Sequence, residues 1–162
     1  MGMNISISKQ GPGAAKVRAD LDRVLKMEVL VGIPPATTIR RGDKINNASL
    51  CYILTHGSAI RHIPATPIIE PAIEAAGNRE AIAAELKKAA SAILDGNPTQ
   101  AKISLRRAGQ VGANAAFAWF KDPRNNWPPN APSTIRWKGS DSRNIDTAAL
   151  RKSLTYVVRG TP

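Results

Sequence analysis

Ala89-Ala-Ser-Ala-Ile-Leu-Asp95-Gly-Asn-Pro98-Thr-Gln-Ala101-Lys-Ile-Ser-Leu105 decides the fold. Its centre, Asp95-Gly-Asn-Pro98, is a helix stop followed at once by a helix start. Upstream, Ala72 to Leu94 carries Ile82, Leu86, Ala89, Ile93 and Leu94 as an apolar stripe at helical spacing, with Gly77-Asn78 as the point of interruption. Downstream, Thr99 is placed to cap a second helix from Gln100 to Phe120. Ala101, Leu105, Ala108, Gly112, Ala115 and Trp119 lie along one face of it. Small residues at that spacing allow close helix approach. Two long helices joined by so tight a turn predict an antiparallel hairpin.

The flanks supply the rest. Asn4 to Ser8 alternates polar and apolar residues, the pattern of a short edge strand, and Gly11-Pro-Gly stops it. Ala14 to Lys26 reads as an amphipathic helix, and Met27 to Ile33 as a β-rich run ending at Pro34-Pro35. Ala48 to His56 reads as a short helix with Leu50, Ile53 and Leu54 inward and Gly57 ending it in a left-handed conformation. Ile63-Pro-Ala-Thr-Pro-Ile-Ile-Glu-Pro71 follows. Pro64, Pro67 and Pro71 fix φ and withhold donors, which predicts a stiff extended connector with Pro71 in the first turn of the next helix. Residues 121–132 are a Pro/Asn-rich loop. Pro132 or Ser133 opens a short helix over Thr134 to Lys138, and Gly139 sets the turn after it. Asp146 is placed to cap a helical turn through Ser153, and Leu154 to Arg159 forms a last strand. The pattern is one α+β domain spanning 1–162: a small, mostly antiparallel sheet packed against two long antiparallel helices, with a long mobile loop over 36–47.

That loop, Ala36 to Asn47, has few apolar side chains, and fixing its backbone costs about 1–2 kcal/mol per residue. The expectation is a segment mobile alone and ordered against a neighbour, with Arg40, Arg41 and Lys44 as interface or polyanion contacts.

The 162 residues suffice for one core, and 43% apolar content excludes wholesale disorder. Aromatics are only 4%, so that core is built from Ala, Ile, Leu and Val. No apolar run reaches the roughly 20 residues of a membrane span, and the N-terminus lacks the pattern of a signal peptide. Cys51, the single cysteine, fits synthesis in the cytoplasm. The net charge is +11, with the excess on both flanks: residues 61–98 carry four basic and five acidic side chains, whereas 99–131 carry five and one. A basic surface of this kind fits a polyanion, an acidic protein face or plain solubility. Lys102 and Arg106, one helical turn apart with Arg107 beside them, form a basic face whose plain reading is a solvated surface, with contact along phosphates as the alternative.

Catalytic and metal-binding chemistry finds no support. His56 and His62 lack companion ligands, and Cys51 sits in an apolar helix as a buried thiol. Ser58, Ser133 and Ser140 have no nucleophile-elbow setting, and the glycine pairs lack the lysine of a phosphate loop. No catalytic residue, metal site or cofactor is predicted. Trp119 is placed to close the hairpin core, while Trp127 packs either beneath its loop or into a neighbouring subunit.

Three segments carry a resemblance. Cys51-Tyr-Ile-Leu-Thr-His-Gly-Ser58 resembles the helix end of phage neck and tail-completion proteins, the head–tail joining family of long-tailed bacteriophages. Ile63-Pro-Ala-Thr-Pro-Ile-Ile-Glu-Pro71 is similar to their proline connector. Ala131-Pro-Ser-Thr-Ile-Arg-Trp-Lys-Gly-Ser140, followed by Ile145-Asp-Thr-Ala-Ala-Leu150-Arg-Lys-Ser-Leu-Thr-Tyr156, is similar to their C-terminal signature. Order and spacing match over roughly 27–160. Ala148, Thr66 and Ile68 depart from it, standing where the family often has Gly, Arg and an aromatic residue. The resemblance implies a non-enzymatic virion protein that assembles as a ring, hexameric on a six-fold axis, at the head–tail interface. Its implied partners are further copies of itself, the head connector or adaptor, and the tail tube or tail terminator. Non-specific contact with phage DNA is a further implication; a membrane is not. Gly57, Ile63, Pro64, Pro67, Pro71, Gly139, Asp146 and Leu150 are the expected structural residues. A tail terminator capping the tube is the near alternative. A small basic DNA-binding or packaging accessory protein, or a hydrolase using Cys51 and a histidine, are alternatives of other classes.

Overall fold

The computed structural model of the chain describes residues 12–24, 26–34, 45–146 and 148–160. The strand expected at Asn4–Ser8 and most of the 36–47 loop, with Arg40, Arg41 and Lys44, lie outside these described residues. In chain order the elements are α1 (Pro12–Val24), β1 (Glu28–Gly32), α2 (Asn47–His56), α3 (Ile69–Glu74), α4 (Asn78–Leu94), α5 (Pro98–Trp119), α6 (Pro132–Lys138), α7 (Ala149–Lys152) and β2 (Thr155–Arg159). A 3-10 turn, Pro123–Asn125, interrupts the loop after α5.

The hairpin forms, with a different cap. Asn97, rather than Thr99, begins α5: its Oδ1 accepts the Gln100 N–H at 3.0 Å, and Pro98 takes the first helical position. Pro98 makes that start two residues earlier than expected, because it has no N–H to leave unsatisfied there. The turn also closes α4, with the N–H groups of Gly96 and Asn97 donating to Ile93 and Ala92 carbonyls at 2.8 and 2.7 Å. All six small or aromatic residues assigned to the inner face of α5 are buried. On α4, Ala89 and Ile93 are buried, but Leu86 and Leu94 are exposed, so the buried stripe is narrower than the periodicity suggests.

Residues 72–94 do not make one helix. The break at Gly77-Asn78 is complete. Ala75 turns extended, Gly77 has a positive φ, and the Asn78 side chain donates to the Ala72 carbonyl at 2.8 Å, closing α3. The Glu80 carboxylate accepts the Gly77 N–H and opens α4. Pro71 sits in the first turn of α3, as expected.

The sheet has two antiparallel strands, running from Glu28↔Arg159 to Gly32↔Thr155. It lies on α5 at Gly109 and Gly112. A Cβ at Gly109 would collide with the Tyr156 ring and stand 3.0 Å from Val29 Cγ1; one at Gly112 would stand 2.8 Å from Val31 Cγ2. The inner positions of both strands thus rest against helix backbone, and the missing side chains set the spacing between layers. The architecture is α+β, a small antiparallel sheet against a helical hairpin.

Candidate assembly joint and surfaces

Gly57 ends α2 with φ 73° and ψ −176°, a positive φ but with extended ψ rather than the left-handed helical turn expected. Its N–H donates to the Ile53 carbonyl at 2.7 Å. The chain then makes a small two-way bridge: Ser58 N–H to Ile63 O at 2.8 Å, and Ile63 N–H to Ser58 O at 2.9 Å. The bridge holds up a tip of Ala59 to His62, on which Ile60 is 94% exposed.

Beyond the bridge the proline connector runs through a junction where distant segments meet. Thr66 is 1% exposed. Its N–H and Oγ1 both donate to the Leu54 carbonyl, at 2.7 and 3.1 Å, and Oγ1 accepts from Asn144 Nδ2 at 2.9 Å. The next residue, Pro67, offers its carbonyl to the Trp127 indole N–H at 3.2 Å. Ile68 is wholly buried, in one cluster with Cys51 of α2, Phe120 beyond α5 and Leu150 of α7. Trp127 meets Phe120 edge-on at 5.7 Å, and Asn47 Nδ2 donates to the Ala149 carbonyl at 3.5 Å. A buried polar residue needs partners, and Thr66 has them on two sides. The α2 end, the connector and the 144–154 segment therefore form one joint.

The expected structural residues fall into place unevenly. Ile63 and Pro71 are half-buried, Pro64 and Pro67 are exposed on the outside of the connector, and Leu150 is buried in the joint. Gly139 ends α6 at φ 66°. Asp146 is exposed and does not cap α7. The helix starts later, at Ala148, which has φ 59° and makes no side-chain cap, so the carboxylate lies outside the first turn. Trp127 turns inward onto the connector. Lys102, Arg106 and Arg107 are exposed on α5.

Sequence reasoning misses Asn144, whose partner is 78 positions away, and Arg151. The Arg151 guanidinium lies 3.8 Å over the Phe117 ring, and its Nε donates to the Phe117 carbonyl at 2.7 Å. It also misses Asp122, though Asp-Pro-Arg is a legible turn. Asp122 Oδ1 accepts the Arg124 N–H and Nε, both at 2.9 Å, and the guanidinium holds the carboxyl down to about 2.

His56 Nδ1–H donates to the Tyr52 carbonyl at 2.9 Å, with the two rings 4.2 Å apart. Burial pushes the Cys51 thiol above its usual pKa, which keeps it protonated and weakly nucleophilic near neutrality. Among the described residues no group of three or more His, Cys, Asp or Glu is placed to hold a metal.

Apolar surface lies elsewhere. On the outer face of the sheet, paired Leu30 and Val157 are exposed and, with Ile33 and Pro34, line a depression of about 160 Å³. A second hollow of about 230 Å³ runs along α2 between Ile33, Tyr52, His56 and Ile69. Trp137 on α6 is 78% exposed.

No helix among the described residues is long and apolar enough to cross a membrane. Comparison with protein-family models, curated proteins and solved structures finds no match for this chain.

Proposed function

We propose that this chain is a structural subunit of a long-tailed phage virion, made in the host cytoplasm and assembling as a ring at the head–tail junction. The observation that carries the reading is the joint at Thr66 and Ile68. Two of the segments that resemble the neck and tail-completion family, 51–58 and 63–71, are neighbours in the chain. The third, far away in sequence, reaches them through Leu150, which shares one apolar cluster with Cys51 and Ile68, while Asn144 and Trp127 beside it bond to the connector. Segments that share a buried junction form one mechanical unit, so their joint occurrence has a physical reason.

A second observation supports assembly. Ile60 and Trp137, together with the Leu30–Val157 pair, leave apolar surface open on elements fixed by hydrogen bonds or packing. The Leu30–Val157 pair, beside the hollow lined by Ile33 and Pro34, is the contiguous part of that surface and the kind of apolar patch that marks a contact. Each standard contact in a ring buries roughly 800 Å² per partner. The partners are further copies of the chain and the head connector or tail proteins above and below.

The test is electron microscopy of the purified protein, together with particles made without it. Rings, and complete heads and tails left unattached, are the expected result. Monomers at high concentration with normal particle yield would overturn the reading. A charge reversal at Arg40 and Arg41 is expected to impair joining without unfolding the protein.

A further inference from the structure

The outward face of α5 carries Arg106, Arg107, Gln110 and Asn114, with Lys102 at its start and Lys121 just beyond its end. The whole helix, Pro98–Trp119, contains no acidic residue. From Lys102 to Lys121 the row is about 28 Å long at helical rise. Arg151 extends it: stacked on Phe117 and bonded to its carbonyl, this guanidinium is held at the C-terminal end of the helix. The neighbouring carboxylates are engaged or terminal. Asp122 is paired with Arg124 and Glu85 with Lys88, while Asp95 stands in the turn at the far end. By contrast α4 mixes Glu80 and Glu85 with Arg79, Lys87 and Lys88.

We infer that this face is a docking surface for the sugar–phosphate backbone of duplex DNA, read without regard to sequence. Two features favour nucleic acid over an acidic protein. Protein contact surfaces centre on apolar and aromatic anchors, and those of α5, Ile103 and Phe117, are only 39% and 40% exposed, against 94% and 78% for Ile60 and Trp137 on other elements. Along the middle of the row stand Gln110 and Asn114, hydrogen-bonded to each other at 2.9 Å, which suit phosphate and sugar oxygens. Phe117 is the one exposed ring of α5 and Arg151 occupies one of its faces, so the helix lacks the series of stacking platforms that unpaired bases use. Backbone contact alone remains. A single protomer carries the whole row, so the surface exists whether or not the chain forms a ring.

Fluorescence anisotropy on a labelled duplex of arbitrary sequence, over a series of KCl concentrations, tests it. Log affinity should fall linearly with log salt. Each phosphate that a cation neutralises adds about 0.9 to that slope, so replacing both Arg106→Ala and Arg107→Ala should make it shallower by about 1.8 and weaken binding at least about tenfold at low salt. The double change Arg61→Ala with Arg136→Ala, on the bridge tip and α6, removes the same charge and should leave the slope unchanged. Circular dichroism melts of both variants should match the parent, because all four side chains are exposed. Equal slope changes in the two variants would mean that net charge alone drives binding and would overturn the assignment. So would competition by polyglutamate as effective, charge for charge, as that by unlabelled duplex, which would point to an acidic protein partner.

Discussion

Three residues hold this chain in conformations that ordinary side chains resist or that depend on charge. Gly57 combines positive φ with a crowded site: a Cβ there would stand 2.8 Å from both Ala65 N and Ile63 O. Gly57→Ala is expected to cost about 3 kcal/mol, from left-handed strain plus backbone displacement, measurable by chemical denaturation. Ala148 poses the reverse case. It occupies φ 59° with a Cβ it does not need. Ala148→Gly removes that strain but adds freedom to the unfolded chain, so a net gain of about 0.5 kcal/mol is expected in the same assay. Asp122 is the third. Its folded pKa, about 2, lies below its ordinary value of 3.8. A depressed carboxylate contributes stability above its unfolded pKa and loses it as pH falls through the folded one. Melting temperatures between pH 5 and pH 2 should therefore drop more steeply for the parent than for Asp122→Asn.

At the scale of elements, the contact between α5 and the sheet governs the layer spacing. Gly109 is a poor helix residue by about 1 kcal/mol relative to alanine, yet it faces the Tyr156 ring with no room for a methyl group. Gly109→Ala gains helix propensity and loses packing, where overpacking costs about 1–3 kcal/mol. A net loss of up to about 2 kcal/mol is expected. An increase in stability on urea denaturation would show that the sheet is free to slide outward. The same contact explains why a two-stranded sheet persists: alone such a pair is marginal, and α5 supplies the surface it rests on. The division of residues 72–94 into α3 and α4 matters similarly. It lets α3 turn away from the hairpin line and place Ala72 against Ala116 and Trp119, while Ile69 and Leu154 bridge to the joint.

Across the whole molecule the charge of +11 works against compaction. Many cations share surfaces with few carboxylates, as on α5. Raising KCl from about 20 to 500 mM shortens the screening length from roughly 20 Å to about 4 Å, so the melting temperature should rise. A fall would mean that attractive pairs outweigh self-repulsion. Long-range order at this scale comes from a few links between remote segments: the β1–β2 pairing, Asn144 to Thr66, Trp127 to Pro67 and Asn47 to Ala149.

What the sequence determined by itself is local. Apolar spacing and the Asp95-Gly-Asn-Pro98 turn set the helical hairpin, the prolines set the stiff connector, and the β-branched runs at 28–32 and 155–159 set two strands. Each depends on residues within a few positions of one another, where backbone preference and periodicity act directly. The caps at Asn97 and Ala148, by contrast, each stand two residues from the expected ones, Thr99 and Asp146. The tertiary structure alone decided that Leu86 and Leu94 face solvent, that Thr66 is buried and bonded to Asn144, and that Arg151 stacks on Phe117. Those outcomes depend on which surfaces meet after the chain has closed loops of tens of residues. Packing selects among such arrangements through contacts that no local window contains.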